Sequence, residues 1–433
     1  MKYLFLDNLR GFTNTIVPIK DVNFLVGENS TGKTTILNLF YLMNTSGFWS
    51  KPSFNDINIK FGPFNEIINV KSKNQTTFSI GLIEKSPFPK KTGFDFILLT
   101  FKQHNQSPYL SQLNCIIKDE EFGFSLPEPH EERENETAVK YFYKKIEKFV
   151  FSEEMITSKI NDWKDIKQDA YKSLKVHYFG YLRELFFAIM EKETQRFRIP
   201  RFFGFFPYRT AFIAPIRSKP KRTYDEYKVD FSPEGEHTPY LLKNILSKDG
   251  NSKKYTELQN LLVAFGKNSG LFDNLKLKPY SNEIGSPFTI NVNLNGKNFK
   301  IINTGYGVSQ SLPIVVELLI RDPGTTFVIQ QPEVHLHPRA QATFGELVYF
   351  LANNQKQKFL IETHSDFVID RFRLNCKKNE AENIQAQVLF FEKSKKGNTV
   401  VPIPITSSGQ YDENQPRGFR DFFIKEDLAL LGI

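Results

Sequence analysis

The residues best suited to chemistry form a glycine-rich run at positions 27–34. The run is Gly27-Glu28-Asn29-Ser30-Thr31-Gly32-Lys33-Thr34, which fits the pattern G-x-x-x-x-G-K-[ST]. Glycines let backbone N–H groups curl around a di- or triphosphate, and Lys33 would reach its β- and γ-phosphates. The Thr34 hydroxyl would ligate Mg²⁺. The run predicts a site for a nucleoside triphosphate with Mg²⁺; the alternative is a glycine-rich turn that matches by chance.

The flanking residues supply the elements that this loop needs. Residues 21–26 form a short apolar stretch that predicts a buried strand, and residues 35–43 carry apolar side chains at helical spacing. The N-terminus of such a helix adds partial positive charge beside the phosphates. Strand, loop and helix therefore agree with a phosphate-binding function.

A second loop of small residues spans positions 303–312 and includes Gly305, Gly307, Ser309 and Gln310. It precedes an apolar helix predicted at 313–320, so it is a second candidate anion-binding device. One chain has no evident need for two such devices on one triphosphate. Two facing chains do, if each offers Ser309 to the γ-phosphate held by the other. The alternative is that Ser309 caps the helix.

Two predicted strands are followed by polar side chains at their carboxyl ends. Ligands of open α/β sheets bind at the carboxyl ends of the strands. Residues 325–329 form an apolar strand followed by Gln330, Gln331 and Glu333, and residues 358–361 form another that leads to His364. A lone histidine is usually structural. The position of His364 beside the other motifs favours a contact with the γ-phosphate.

The order of these motifs resembles the ABC-type ATPases of the overcoming-lysogenization-defect (OLD) class, in particular standalone ATPases related to it. The resemblance rests on the phosphate loop, G-Y-G-V-S-Q at 305–310, Q-Q-P-E-V-H-L-H-P at 330–338 and E-T-H-S-D at 362–366. It implies an α/β fold, an ABC-type P-loop head whose mixed sheet is flanked by helices. It also implies a head-to-head dimer around ATP and Mg²⁺. It assigns residues 27–35, ending at Thr35, to the phosphates and the metal, and His364 to the switch histidine. Arg10 and Phe12 would lie near the nucleotide.

Gln330 departs from the pattern of the class, whereas a glutamine at position 331 is frequent in it; together the two leave the strand end without a carboxylate. The corresponding strand normally ends in an acidic residue at position 330, which helps to hold Mg²⁺ or its water. Many ABC-type ATPases keep a catalytic glutamate at position 331. A neutral amide can neither accept a proton nor balance the charge of Mg²⁺, and the next carboxylate is Glu333. We therefore expect the chain to bind ATP and to hydrolyse it more slowly than members of the class that keep the carboxylate. Gln330 is either natural or an engineered replacement of a glutamate.

The composition bounds the remaining possibilities. The chain has 433 residues, a formal net charge of +9 and 40% hydrophobic residues, as in ordinary globular proteins. The positive charge suits a polyanion such as nucleic acid, although a solvated surface is an equal alternative. No run of 18 apolar residues predicts a membrane helix, and the first residues do not resemble a signal peptide. The only cysteines, Cys115 and Cys376, are far apart, so a cytoplasmic protein is expected.

Three regions are predicted along the chain. Residues 1–101 form the N-terminal part of the ATPase head, with a strand pair predicted at 3–9 and 15–19 and further strands at 76–83 and 94–101. Residues 285–433 form its C-terminal part, in which Asn295-Gly296 predicts a hairpin and residues 419–431 a short helix. Residues 102–284 between them are predicted to be a mostly helical insertion with a basic loop near 214–224. Within it, residues 105–136 are predicted to be a polar excursion, residues 137–197 a helical stretch and residues 258–265 an amphipathic helix. Few residues follow the E-T-H-S-D motif, so the nuclease domain of OLD proteins is expected to be absent.

The function expected from the resemblance is regulation of a separate effector, a nuclease or toxin, in prokaryotic antiphage defence. The alternative is a DNA-repair or chromosome-maintenance ATPase that holds DNA through its helical arm and basic loop, in which Lys219, Lys221 and Arg222 are the cations. The motor of a membrane transporter and a small-molecule kinase agree less well with the second loop.

Overall fold

The structure of the protein is a computed structural model. It describes residues 2–85, 94–117, 119–129, 136–146, 152–164, 166, 171–177, 182–194, 209–225, 230–246, 253–281, 283, 285–379, 384–395, 397–413, 415–416 and 418–419. The helix predicted at 419–431 lies almost wholly outside these residues. Among the described helices, none is both long and apolar enough to cross a bilayer.

The described part of the chain contains both strands and helices, which alternate one by one over only part of it. The strands are β1 Lys2–Asp7, β2 Thr15–Ile19, β3 Val22–Gly27, β4 Thr77–Lys85, β5 Phe94–His104, β6 Ser107–Ile117, β7 Glu120–Ser125, β8 Glu136–Lys145, β9 Lys172–His177, β10 Thr210–Ile213, β11 Asn274–Pro279, β12 Phe288–Leu294, β13 Lys297–Lys300, β14 Thr326–Gln330, β15 Lys358–Glu362, β16 Ala386–Ser394 and β17 Gly397–Ile405. The helices are α1 Lys33–Met43, α2 Ser46–Ser50, α3 Phe64–Ile67, α4 Glu153–Lys164, α5 Leu182–Thr194, α6 Thr238–Leu246, α7 Lys253–Ser269, α8 Tyr306–Ile320, α9 Pro338–Gln355 and α10 Asp366–Asn379, with a 3₁₀ turn at Ile301–Asn303.

The chain divides into two compact units. The first unit comprises Met1–Lys20, Glu28–Tyr208 and Phe391–Pro402, and the second comprises Asp21–Gly27, Arg209–Phe390 and Ile403–Ile433. The phosphate loop begins where the chain passes from the second unit into the first, at the Gly27–Glu28 peptide.

The first unit contains an eight-stranded sheet with the order β2-β1-β4-β5-β6-β7-β8-β9, in which all neighbouring strands are antiparallel. Helix α4 packs on it through Trp163, whose ring lies 5.0 Å from that of Phe96. Helix α5 packs through Phe186, whose ring lies 5.3 Å from that of Phe122. Large aromatic side chains on the strands thus supply the apolar surface that holds the two helices.

The second unit contains the sheet that positions the candidate site, with the order β10-β14-β15-β3-β16-β17. Strands β10, β14, β15 and β3 are parallel. Their sequences are almost continuous apolar runs because helices cover both faces of such sheets. Phe327 and Ile329 of β14 and Phe359 of β15 are fully buried in the core of this unit, which also contains much of α8 and α9.

Several predicted elements are confirmed by the structure. Strands β1 and β2 form the expected pair, β4 and β5 are sheet, and α7 covers the predicted amphipathic helix. The hairpin predicted from Asn295-Gly296 joins β12 and β13, and both residues have positive φ, 50° and 76°, as a type I′ turn requires. The mixed α/β fold is therefore the one that the patterns predicted.

The prediction of a mostly helical insertion at 102–284 is wrong for a large part of that region. Residues 105–136, predicted as a polar excursion, contain all of β6 and β7 and the first residue of β8. The expected helical stretch from 137 contains the rest of β8 and β9 as well as α4 and α5. In β7, Phe122 and Phe124 alternate with smaller or charged residues and are buried. Two aromatic residues at a spacing of two are typical of a strand, but the surrounding charges obscured this pattern.

Candidate nucleotide site

The phosphate loop has the backbone that its glycines allow. Gly27, at the end of the fully buried β3, has φ 145°, and Gly32, the N-cap of α1, has φ 96°. Both values are rare for residues with a side chain. Glu28, Asn29 and Ser30 are exposed, and so is Thr34 in the first turn of α1. The loop therefore presents its backbone and the Thr34 side chain at the surface, at the N-terminus of an 11-residue helix.

Two side chains of the loop converge on one of its own carbonyl groups. The Nζ of Lys33 donates a hydrogen bond to the Glu28 carbonyl oxygen at 2.7 Å, and the Thr31 hydroxyl donates to the same oxygen at 2.8 Å. Lys33 is only 3% exposed. These contacts close the loop and hold the ammonium group at its base, beside the helix N-terminus, where an anion is favoured.

Arg10 and Phe12 both lie against this loop. The Arg10 Nη1 donates to the Thr35 hydroxyl at 3.1 Å, and its Nη2 donates to the Phe61 carbonyl oxygen at 3.1 Å. Burial lowers the pKa of Arg10, and the charge of Glu66 partly offsets this shift. Phe12 is fully buried, and a Cβ atom on Gly32 would lie 2.4 Å from its ring. Arg10 supports the first turn of α1, and Phe12 requires the glycine at 32.

The carboxyl ends of three parallel strands meet at one edge of the six-stranded sheet. Gln330 of β14 lies in register with Glu362 of β15, and Glu362 lies in register with Leu25 of β3. The Thr363 amide continues this pairing by donating to the Leu25 carbonyl oxygen at 3.2 Å. The strand β3 ends at Gly27, the first residue of the phosphate loop, so the strand ends at 27, 330 and 362 share one edge of the sheet.

Glu333 and His364 belong to one small network at this edge. The carboxylate of Glu333 accepts a hydrogen bond from the Thr363 hydroxyl at 2.8 Å and another from the His364 backbone amide at 2.7 Å. Burial nevertheless raises the pKa of Glu333. The His364 side chain is exposed. The structure thus brings together two of the predicted site residues from motifs that are 31 positions apart.

Gln330 and Gln331 differ in their surroundings. Gln330 is 8% exposed, and as a register partner of Glu362 it places its side chain on the same face of the sheet. Gln331 has a left-handed backbone with φ 42°, and its amide donates to the Glu362 carbonyl oxygen at 2.8 Å. Glu362, which sequence reasoning missed as a candidate, is therefore a carboxylate beside Gln330. Its place at the start of the E-T-H-S-D motif could have identified it.

The second loop continues into a helix sooner than predicted. Helix α8 begins at Tyr306 instead of residue 313, and its N-cap is Gly305, so Ser309 is not the cap. The Ser309 hydroxyl donates to the Tyr306 carbonyl oxygen at 3.0 Å. Gly307 lies close to the chain after β14, because a Cβ atom there would be 3.2 Å from the His335 carbonyl oxygen. Gly305 and Tyr306 at the start of the helix are exposed.

The loop that follows β10 combines exposed cations with one buried arginine. Lys219, Lys221 and Arg222 are exposed, whereas Arg217 is 3% exposed. Part of this loop, including Lys219 and Lys221, lines a cavity of about 280 Å³ together with Ser309 of α8. The sequence of this loop indicates a basic surface, and no pattern in it distinguishes Arg217 from the other cations.

Arg217 lies at the end of β14. Its Nη2 donates to the carbonyl oxygens of Gln330 and Gln331, both at 3.1 Å. Burial lowers the pKa of Arg217 to about 10, and the charge of Glu333 opposes this shift. The guanidinium therefore stays protonated at neutral pH, in contact with the strand end that carries the two glutamines.

Solved structures of SMC and RecF proteins are similar to this chain at low identity. An SMC head domain from Thermotoga maritima is 10% identical, with a TM-score of 0.40 over 92% of this chain and 97% of that one. An Smc head domain from Pyrococcus furiosus, bound to the C-terminal domain of ScpA, is 10% identical, with a TM-score of 0.39 over 99% and 100%. The recombination mediator RecF is 11% identical, with a TM-score of 0.36 over 92% and 97%.

The chain matches a family model over most of its length. No curated protein matches the chain. The model of the AAA ATPase domain family matches residues 1–369, which include the phosphate loop, α8, the ends of β14 and β15, and His364. With most of its length matched, the chain belongs to the AAA ATPase domain family.

Proposed function

We propose that this protein binds ATP with Mg²⁺ on its phosphate loop and hydrolyses it as an ABC-type ATPase that pairs head to head with a second copy. The observation that carries the proposal is the edge of the sheet at which β3, β14 and β15 end together, with the phosphate loop directly after β3. Glu333, Glu362 and His364 all lie at this edge. Lys33 and the backbone of residues 27–34 would hold the phosphates.

The chain has oxygen-bearing side chains that are suitable ligands for the Mg²⁺ that accompanies ATP. Mg²⁺ prefers oxygen ligands and is usually held by one or two carboxylates or hydroxyls together with phosphate oxygens and water. Thr34 offers an exposed hydroxyl, and Glu362 supplies a carboxylate beside the neutral Gln330. The metal would neutralise charge on the phosphates, while Glu333 would accept a proton from the attacking water.

The proposed dimer gives the second loop at 303–312 a function, which is to contact the nucleotide bound by the other chain. The N-terminus of α8, with Gly305 and Tyr306 exposed, has the partial positive charge that suits a phosphate. In the proposed dimer this end of each chain, with Ser309 in its first turn, faces the γ-phosphate held by the other chain. His364 would contact the γ-phosphate in its own chain.

The experiment that tests this function compares the chain with glutamine at position 330 with the variant Gln330→Glu. Both are measured for ATP binding, for turnover, and for solution mass with and without ATP–Mg²⁺. We expect both to bind ATP and dimerise, and Gln330→Glu to turn over about tenfold faster or more, because a carboxylate beside Glu362 strengthens the metal site. Equal turnover would show that Gln330 does not occupy the metal site. An absence of ATP binding would contradict the proposed function as a whole.

The resemblance to the OLD class supports a more specific role. As an ATPase of that class, the protein would sense an invader in a prokaryotic cell and hold or release a separate effector, a nuclease or toxin. The surface of the first unit, which includes α4 and α5, is the proposed docking site. Purification with the neighbouring gene products, with and without deletion of residues 137–200, tests this role. An effector captured equally well after the deletion would contradict the docking site.

DNA binding is the second candidate function, and the exposed cations of the basic loop favour it. Lys219 and Lys221 line the cavity together with Ser309, so DNA bound by these lysines would be close to the second loop at 303–312. Phosphate contacts by these cations would make binding fall as salt increases, with a slope of about 0.9 per contact. DNA repair or chromosome maintenance would then be the setting.

Replacement of Lys219, Lys221 and Arg222 by alanine tests the second candidate. We expect weaker duplex binding. We also expect the dependence of log affinity on log salt to become less steep, by up to the amount that about three phosphate contacts contribute. The matched control replaces Lys278, Lys297 and Lys300, three exposed lysines on β11 and β13 of the same unit. An equal loss in the control would indicate nonspecific attraction to the basic surface.

A further inference from the structure

Arg217 is a buried cation whose role the proposed ATPase function does not explain. Its Nη2 donates to two carbonyl oxygens, while its Nε and Nη1 atoms have no hydrogen-bond partner among the described residues. A buried guanidinium that lacks partners is costly, and apolar residues of similar volume usually fill such positions at a lower cost. A charge retained at this position therefore indicates a role other than packing.

Gln310 of α8 holds the backbone of Arg217 from the other side. The Gln310 Nε2 donates to the Arg217 carbonyl oxygen at 3.3 Å, and the Arg217 amide donates to the Gln310 Oε1 at 3.3 Å. Gln310 is 5% exposed and directly follows Ser309 in the chain. A continuous series of buried hydrogen bonds therefore leads from the first turns of α8, through Arg217, to the end of β14.

The end of β14 has a conformation that needs support. Gln331 has φ 42°, a left-handed backbone that costs an ordinary residue free energy relative to the extended or helical regions. Its amide is held by the Glu362 carbonyl group, and the carbonyl groups of Gln330 and Gln331 are held by Arg217. A shift of Arg217 would therefore release this turn, and Glu333 follows it by two residues.

We propose that Arg217 is a positioning residue that couples the start of α8 to the end of β14. Contact of a partner's nucleotide with the Ser309 turn would move Gln310, and Arg217 would transmit that movement to Gln330 and Gln331. The transmission itself is a property of the single chain. Its use in the dimer rests on the function proposed above.

Hydrogen exchange on the nucleotide-free chain tests the coupling directly. The reporters are the amides of Gln331, Val334 and Leu336, each of which donates a backbone hydrogen bond at the end of β14. The variants are Arg217→Met, which removes the guanidinium, and Gln310→Met, which removes the two bonds to the Arg217 backbone but leaves the guanidinium intact. We expect both variants to speed exchange of these amides about 3- to 10-fold, as expected for the loss of one or two buried hydrogen bonds.

The matched control is Gln357→Met. Gln357 is 1% exposed and donates to the Leu318 carbonyl oxygen at 3.1 Å, so it also bonds to α8, but at the opposite end from Gln310. We expect it to leave the three reporter amides unchanged. The coupling is wrong if Gln310→Met leaves the reporters within twofold of the natural chain, or if Gln357→Met speeds them equally. If Arg217→Met does not fold, Arg217→Lys takes its place.

A second measurement, with ATP–Mg²⁺, separates this inference from the proposed function. If the natural chain dimerises, we expect Gln310→Met to bind ATP with unchanged affinity but to lose most of its turnover, with kcat lowered and KM unchanged. Unchanged kcat in that variant would contradict the coupling. If the natural chain does not respond to ATP, the proposed function fails, and the nucleotide-free exchange still decides whether the coupling exists.

Discussion

Glu333 is a carboxyl group whose surroundings favour proton transfer. Burial raises its pKa above the usual 4.5, although hydrogen bonds from His364 and Thr363 and the charge of Arg217 act in the opposite direction. A base is more effective when its pKa approaches the working pH. The same burial that makes Glu333 costly to ionise therefore suits it to accept a proton from water.

Replacement of Glu333 by glutamine should lower turnover by about 10²–10⁴-fold, the usual contribution of a general base. In the natural chain, turnover should rise with pH through the pKa of Glu333, because the protonated carboxyl cannot accept a proton. Since that pKa is raised, the rise should occur above the pH expected for an ordinary carboxyl group. Single-turnover hydrolysis at a series of pH values measures both effects.

Glu362→Gln is the comparison for this prediction, since Glu362 is a second carboxylate at the same edge. We expect it to raise the Mg²⁺ concentration needed for half-maximal turnover and to leave the pH dependence in place. If Glu362→Gln abolishes the pH dependence and Glu333→Gln does not, the two roles are reversed.

At the scale of elements, the junction between the phosphate loop and α1 depends on Gly32. The residue has φ 96°, and its missing side chain leaves room for the ring of Phe12. Phe12 is itself fully buried and packs edge-on against Phe391 at 6.4 Å, so it has little space to move. The helix N-terminus that would bind phosphate is thus positioned by a close contact as well as by its backbone.

Gly32→Ala should lower the free energy of unfolding by about 2 kcal/mol or more, since a left-handed backbone costs about 1–2 kcal/mol and the clash with Phe12 adds to it. ATP binding should weaken in parallel. Urea unfolding and titration with a fluorescent ATP analogue measure the two effects.

Gly47→Ala in α2 is the control for this change. A Cβ atom at Gly47 meets no atom within 4 Å, and the residue lies within a helix, so alanine should be neutral or stabilising by up to about 1 kcal/mol. If Gly32→Ala is as well tolerated as Gly47→Ala, the loop adapts to a side chain and the close contact does not determine its shape.

At the scale of the whole molecule, the proposed dimer requires the exposed start of α8 to face a second copy. Gly305 offers a way to test this without disturbing the fold. Its φ is −62°, and a Cβ atom there meets no atom within 4 Å, so the single chain tolerates a side chain. In a dimer the same side chain would lie against the partner's phosphates.

Gly305→Glu should leave ATP binding by the single chain within about twofold and weaken ATP-dependent dimerisation at least about tenfold, because a carboxylate would face phosphate at close range. Sedimentation with and without ATP–Mg²⁺ measures the mass, which for one chain is 50.3 kDa. Gly47→Glu, at another open glycine, should dimerise normally. Unchanged dimerisation of Gly305→Glu would place the interface elsewhere.

The sequence by itself determined the parts of this protein that depend on short stretches of chain. The phosphate loop, the hairpin turn at Asn295-Gly296 and the apolar strands β14 and β15 each have a pattern within ten residues, and the structure contains all of them. Such patterns reflect backbone preferences and the burial of one short segment, which neighbouring residues decide. These short patterns also indicate an ATPase family, because the family match covers the phosphate loop and the ends of β14 and β15.

Only the tertiary structure decided which distant groups meet. Arg217 and Gln330 are 113 residues apart, and neither motif indicates that one holds the carbonyl group of the other. The strands β6–β9 are a different case, because each pairs with its neighbour in sequence, and charged and polar residues within them obscured the alternation of their buried side chains. The place of Glu362 beside Gln330 is likewise a matter of register between strands. A contact between remote segments depends on the packing of the whole unit, and short sequence patterns do not encode it.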